Sequence, residues 1–270
     1  MIVLLTSRAA DLMIPAMSPC GPLIVGHRGA SYDAPENTLA SYRLCWEQNA
    51  DGGEGDYHLT KDGQVVCIHD ATTRRTGDKD LDVGRSTLAE LRTVDLGAWK
   101  NPTYAGERIP LLSEVLALVP PGKLYYLEIK CGPEILPALE RILAASPTKR
   151  EQLRIISFNA DVIAESKRRL PQIKAHWITG FEQDQQTKVW TPSGETILQT
   201  LARTKADGLN AQWNARFVTP EMVTKLKGMG LETAVWTVDD PKVARALADA
   251  GVFGLTTNRP GFLREALAKT

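Results

Sequence analysis

The stretch LIVGHRGASYDAPENTLASYRLCWEQNADGGEGDYHL, residues 23–59, reads as strand, helix, strand. An apolar run at 23–27 ends in His27-Arg28-Gly29. An amphipathic helical pattern covers 37–48, and a second strand covers 53–59 with a continuation at 64–69. The same alternation recurs along the chain. Further strands are expected at 124–130, 154–158, 174–179, 208–213, 233–238 and 254–257, with helices at 113–119, 133–145, 161–170, 220–229, 241–250 and 260–269. Strand–helix alternation of this kind favours a parallel sheet with helical crossovers. About eight units of roughly 30 residues each match the α/β architecture of a (β/α)8 TIM barrel.

Local punctuation agrees. Thr219-Pro220 and Asp240-Pro241 each set a capping side chain before a proline suited to a first helical turn. Ala50-Asp51-Gly52 and Ala206-Asp207-Gly208 read as one helix-to-strand turn used twice, and Asp62-Gly63 reads as a hairpin turn. Residues 71–110 break the alternation. They are polar, too long for a plain loop, and contain Trp99, Tyr104 and a capping box, Thr87-x-x-Glu90. They are expected to form an insertion between strand 2 and helix 2, over the active-site mouth. The expected organisation is an N-terminal arm, 1–22, followed by one barrel domain, 23–270.

The chain has 270 residues, 43% of them hydrophobic and 24% charged, with 32 Lys+Arg against 32 Asp+Glu. That balance lacks the basic field of a non-specific nucleic-acid binder. No apolar run approaches the ~18 residues of a membrane span. Cys20, Cys45, Cys67 and Cys131 have no C-x-x-C spacing, so they read as small buried hydrophobes in a reducing compartment. Residues 1–22 lack the basic and apolar regions of a signal peptide, and a cytoplasmic location is expected.

The chemistry gathers at expected strand ends. His27 and Arg28 close the first strand. Glu54 and Asp56, two apart, point to one side of the second. His69-Asp70 follows the apolar run Val65 to Ile68, and Glu128 and Lys130 repeat the two-residue spacing. Converging carboxylates repel by about 4 kcal/mol per pair at ~4 Å and an effective dielectric near 20. Either they are partly protonated or a cation neutralises them, and an all-oxygen set favours a hard divalent ion, Mg2+ or Ca2+, over zinc. Beside such an ion, Arg28 and Lys130 suit a phosphate, and two imidazoles can exchange protons near neutral pH. His58 is expected beyond the rim, and His176, with no acidic partner at motif spacing, as a packed or surface residue.

These residues resemble the glycerophosphodiester phosphodiesterase family. The resemblance runs through His27-Arg28-Gly29, Pro35-Glu36-Asn37-Thr38, Glu54-x-Asp56, Thr60-Lys61-Asp62-Gly63, His69-Asp70, Leu127-Glu128-Ile129-Lys130 and Val235-Trp236-Thr237-Val238, and covers about residues 23–262. It implies a TIM barrel that hydrolyses glycerophosphodiesters to sn-glycerol 3-phosphate and an alcohol. Glu54, Asp56 and Glu128 would hold one divalent cation, and His27 and His69 would be the general acid/base pair. Arg28 and Lys130 would bind phosphate, and Trp236 would line the pocket. Pro35 to Thr38 would shape the first loop and cap the next helix. Two departures stand out. Gly53 and Gly55 flank Glu54 where the family often has an apolar residue, and Asn258 stands where it often has Asp. Alternatives are a lysophospholipase D or phospholipase C-like lipid phosphodiesterase, with Leu81, Leu91, Leu96 and Trp99 as apolar lining, and a non-catalytic barrel binding a phosphorylated polyol.

Overall fold

The computed structural model describes residues 21–269; the expected arm, including Cys20, falls almost entirely outside them. Eight parallel strands close a barrel in the order β1 (Leu23–Gly26), β2 (Gly52–Leu59), β4 (Leu124–Ile129), β5 (Leu153–Ser157), β6 (Lys174–Thr179), β9 (Gly208–Gln212), β10 (Glu232–Trp236) and β11 (Gly254–Thr257). Pairing of β1 with both β11 and β2 completes the ring. Strand ends fall within one or two residues of the expected ones. The stretch expected to continue the second strand is a separate strand, β3 (Val65–Cys67), which returns antiparallel along β2 after the Asp62-Gly63 turn. Gly63 has a φ of +76°, which favours glycine there.

Helices surround the barrel, from α1 (Leu39–Glu47) to α9 (Pro260–Ala268). Thr38 caps α1, Thr219 caps α7 (Pro220–Gly228) and Asp240 caps α8 (Pro241–Asp249), each accepting a first-turn amide. The sequence reading names no helix at 180–207. The structure has there a small hairpin, β7 (Glu182–Gln183) with β8 (Trp190–Thr191), and α6 (Gly194–Thr204), capped by Ser193. Its apolar stripe is sparse: Ile197 and Leu201 are its buried apolar residues. The repeated Ala-Asp-Gly turn is one device. The carboxylates of Asp51 and Asp207 accept the amides of Ile24 and Ala175, whose carbonyls accept the Asp backbone amides in return.

The main core lies between strands and helices. The barrel interior holds a smaller cluster including Val25, Tyr126, Ile156 and Ile178. Below it His176 is fully buried, its Nε2 2.9 Å from Glu232, which also takes Arg154 at 3.0 Å. The acidic partner of His176 lies 56 residues away, which is why no local motif disclosed it.

Residues 71–110 fold on a core of their own, where Val83, Leu91, Val94, Leu96 and Ile109 pack with Val66 and Ile68 of the hairpin. Thr87 and Glu90 form the expected capping box of α2 (Leu88–Leu91). Leu91 and Leu96 are therefore spent inside the insertion, and Leu81 packs on them. Leu91 and Leu96 cannot supply the apolar lining expected of a lipid site; of that set the partly buried Leu81 and Trp99, 43% exposed, are left. Among the described residues no helix is long and apolar enough to cross a membrane.

Candidate active site

Register brings the acidic residues together. Asp56 on β2 is the direct partner of Glu128 on β4, and Glu54 precedes Asp56 by two residues on the same face. Oxygens of all three lie within 4.8 Å of one another, and all three side chains are buried. Glu54 Oε1 and Asp56 Oδ1 accept no hydrogen bond within the protein. Buried oxygens with unused lone pairs, all from carboxylates, suit a hard divalent cation. Two cations partly offset the three carboxylates. Arg28 Nε is 3.2 Å from Asp56, and Lys130 Nζ is 2.7 Å from Glu128 and 3.5 Å from Asp56.

Each carboxyl responds differently. Burial, then repulsion from Asp56 and Glu128, pushes Glu54 well above the usual carboxylate range. Burial and Asp56 raise Glu128 to about 7. Burial opposes ionisation of Asp56 too, but Arg28 and Lys130 hold it below its ordinary value. Glu54 and Glu128 thus hold protons in the folded chain that a cation would displace.

The loop after β1 aims the groups opposite. Arg28 has a φ of +56°, which turns its amide onto Glu54 Oε2 at 2.9 Å. Within Pro35 to Thr38 the expected helix cap is Thr38, and the residue that reaches the site is Asn37. Its side-chain nitrogen donates to Asp56 Oδ2 at 2.8 Å, while its oxygen accepts from Tyr42 Oη at 3.0 Å. Glu36 accepts from Arg28 and from two nitrogens of Arg75, which also binds Asp70. The contacts of Asn37 with Asp56, Arg28 with Glu54 and Arg75 with Glu36 join residues 19, 26 and 39 positions apart, and sequence spacing carries no sign of them.

The two histidines are held by different partners. His27 Nδ1 donates to Asn258 Oδ1 at 2.7 Å; the amide of Asn258 is oriented by Asp239, which accepts from its nitrogen at 2.6 Å. That tautomer leaves His27 Nε2 free to act. Burial, with Arg28 alongside, holds the ring down at about 4, so it is neutral near pH 7. His69 Nδ1 donates instead to a carboxylate, Asp70 Oδ1, at 2.6 Å. His58, expected beyond the rim in a structural role, donates from Nε2 to the His69 carbonyl at 3.1 Å and so steadies that turn.

One cavity collects the set. His27, Arg28, Glu54, His69, Glu128, Lys130 and Trp236 line it, with Ile156, Phe158 and Ile178 as its apolar wall. Trp236 is fixed by its indole N–H on the Asn210 carbonyl and by an edge contact with Phe158. Phe158, Asn210 and Asn258 belong to this surroundings and were not singled out as pocket residues by their sequence context. The residues flanking Glu54 face the helices, where Trp46 stands against Gly53 and Tyr42 and Tyr125 against Gly55.

The pattern of the Glycerophosphoryl diester phosphodiesterase family matches residues 27–262. A glycerophosphodiester phosphodiesterase of Caldanaerobacter subterraneus is 33% identical over 251 residues, 92% of this chain and 98% of the relative. One of Bacillus subtilis is 32% identical, over 90% of this chain and 86% of its own. Among solved structures, a phosphodiesterase of Oleispira antarctica in complex with the product sn-glycerol-3-phosphate superposes with a TM-score of 0.82, at 28% identity, over 92% of this chain and 98% of that one.

Proposed function

Because the chain belongs to the glycerophosphoryl diester phosphodiesterase family and is a phosphodiesterase, we propose that it hydrolyses glycerophosphodiesters to sn-glycerol 3-phosphate and a free alcohol by two-histidine acid/base catalysis with one divalent cation. The observation that carries this reading is the meeting of three buried carboxylates, two with an oxygen that accepts no hydrogen bond, at a cavity that Glu54 and Glu128 line together with His27, His69 and Arg28. In it Glu54, Asp56 and Glu128 are the ligands of Mg2+ or Ca2+. The bound cation supplies charge neutralisation and Lewis-acid polarisation of a phosphate oxygen.

The chain's own residues do the rest. Arg28 and Lys130 attract and orient the phosphate, and Trp236 with Ile156 and Ile178 shields the retained glycerol from water. One imidazole takes a proton from the attacking hydroxyl as its oxygen bonds to phosphorus. The other gives a proton to the departing oxygen as its bond to phosphorus breaks. Attack by water gives the products directly. Attack by the neighbouring glycerol hydroxyl gives a cyclic phosphate that a water then opens with the two imidazoles in exchanged roles. By either route one water is consumed. Asn258 and Asp70 keep both rings in tautomers whose Nε2 is available for that work. Residues 71–110 form one wall of the outer approach to the site.

The test is turnover of a panel of glycerophosphodiesters with Mg2+ or Ca2+, then with chelator, then with metal returned. Activity should vanish on chelation and come back. His27→Ala and His69→Ala should each lose most of the turnover while keeping the wild-type circular dichroism. A near-wild-type rate in either variant would remove that histidine from the reaction.

A further inference from the structure

Outside the carboxylate cavity lies a second cleft, lined by His27, Arg28, Ser31, Tyr32, Glu36, Trp99, Lys100 and Asn258. The two share His27 and Arg28. A phosphodiester held at those two residues extends one arm into each. The inner cavity contains the carboxylates and the apolar wall, and suits the retained glycerol phosphate; the outer cleft is left for the alcohol that departs.

The outer cleft looks at first like an aromatic cage for a quaternary ammonium, with Tyr32 and Trp99 56% and 43% exposed. The chain's own cations already occupy those rings. Lys100 Nζ lies 5.9 Å from the centroids of both, and the Arg259 guanidinium lies 4.2 Å from that of Tyr32. Glu36, the carboxylate in the lining, is engaged by Arg28 and Arg75 and offers no free counter-charge. Lys100 is anchored by one N–H to the Ser31 carbonyl at 2.9 Å, which leaves donors for a ligand's oxygens. A headgroup entering here meets N–H donors and a positive potential.

We propose that Lys100, with Tyr32, Trp99 and Arg259, selects the alcohol half of the diester: an uncharged polyol such as glycerol or inositol, in preference to a cationic headgroup such as choline. The inference rests on the hydrolytic reading above.

The test compares kcat/KM for glycerophosphoinositol, glycerophosphoglycerol and glycerophosphocholine in the wild type, Lys100→Met and Lys100→Glu, each with metal supplied. The wild type should prefer the polyol esters at least tenfold. Lys100→Met should narrow the ratio, and Lys100→Glu should narrow it further or reverse it, mainly through KM for glycerophosphocholine. A folding defect would lower all three substrates together and leave the ratio in place, so the ratio carries its own control. Equal wild-type turnover of all three, or a ratio indifferent to Lys100→Glu, overturns the selection while the hydrolytic reading stands. No turnover of any diester with metal present overturns that reading and this inference with it.

Discussion

His27 and Asn258 are joined by a 2.7 Å hydrogen bond between Nδ1 and the amide oxygen, and Asp239 holds that amide from behind. The amide can only accept from the ring because its nitrogen is committed to Asp239, so the chain Asp239–Asn258–His27 sets the tautomer. Asn258→Ala should lower kcat roughly tenfold, an effect of about 1.4 kcal/mol, with little change in KM. Asn258→Asp sets two carboxylates against each other and should also be poor. Adding Asp239→Asn to it restores a donor between them and should recover most of the rate. In that double variant a carboxylate beside His27 raises a ring now held at about 4, so the acid limb of kcat/KM should move to higher pH. A double variant no better than Asn258→Asp alone would show that the orientation of residue 258 is not set by residue 239.

Asn37 occupies a left-handed conformation, φ +57°, from which it reaches Asp56. Its side chain is buried, and deleting it strips one hydrogen bond from a buried carboxylate and another from Tyr42. Asn37→Ala should cost about 1–3 kcal/mol of stability and weaken cation binding, because Asp56 loses the contact that fixes its second oxygen. Denaturant melts and titration calorimetry with Mg2+ or Ca2+ would check both halves. Unaltered cation affinity would make Asn37 a fold residue alone.

Gly55 lies where a methyl group would overlap the hydroxyls of Tyr42 and Tyr125, whereas at Gly53 it would sit 3.0 Å from the edge of Trp46. The tyrosines have no room to withdraw, since Tyr125 also bonds Tyr57 at 2.6 Å and Tyr42 bonds Asn37. Gly55→Ala should therefore destabilise by about 1–3 kcal/mol, and Gly53→Ala by less. Thermal melts that placed Gly55→Ala level with the wild type would contradict this packing.

What the sequence discloses here follows the range of the interactions. Parity along one strand is local, so Glu54 and Asp56 can be read as sharing a face, and Glu128 joins them because a parallel barrel stacks strand ends. The caps Thr219 and Asp240 are equally local. Asn37 was legible only as part of a loop and helix cap, because its partner is set by how the loop folds over β2. Asn258 was legible as a departure from a pattern, but its bond to His27 spans 231 positions. The helix α6 escaped because its buried stripe is too sparse to stand out among polar neighbours.

Glu128 ties stability to pH and to the cation. Its carboxyl stands at about 7 in the folded chain against an ordinary value of 4.5, through burial and then the nearby charge of Asp56. A carboxyl whose folded value is raised favours the folded state while protonated. That contribution is complete below pH 4.5 and is lost as the pH rises through 7. Metal-free wild type should therefore lose melting temperature relative to Glu128→Gln, which cannot ionise, between pH 5 and about pH 8. Saturating divalent cation, by pairing with the ionised form, should flatten the wild-type slope and expel protons on binding. Calorimetry in two buffers of different ionisation enthalpy would count those protons at pH 6. If the wild type and Glu128→Gln keep a constant difference across that range without metal, Glu128 ionises normally, and the crowding of charge around it is weaker than its burial implies.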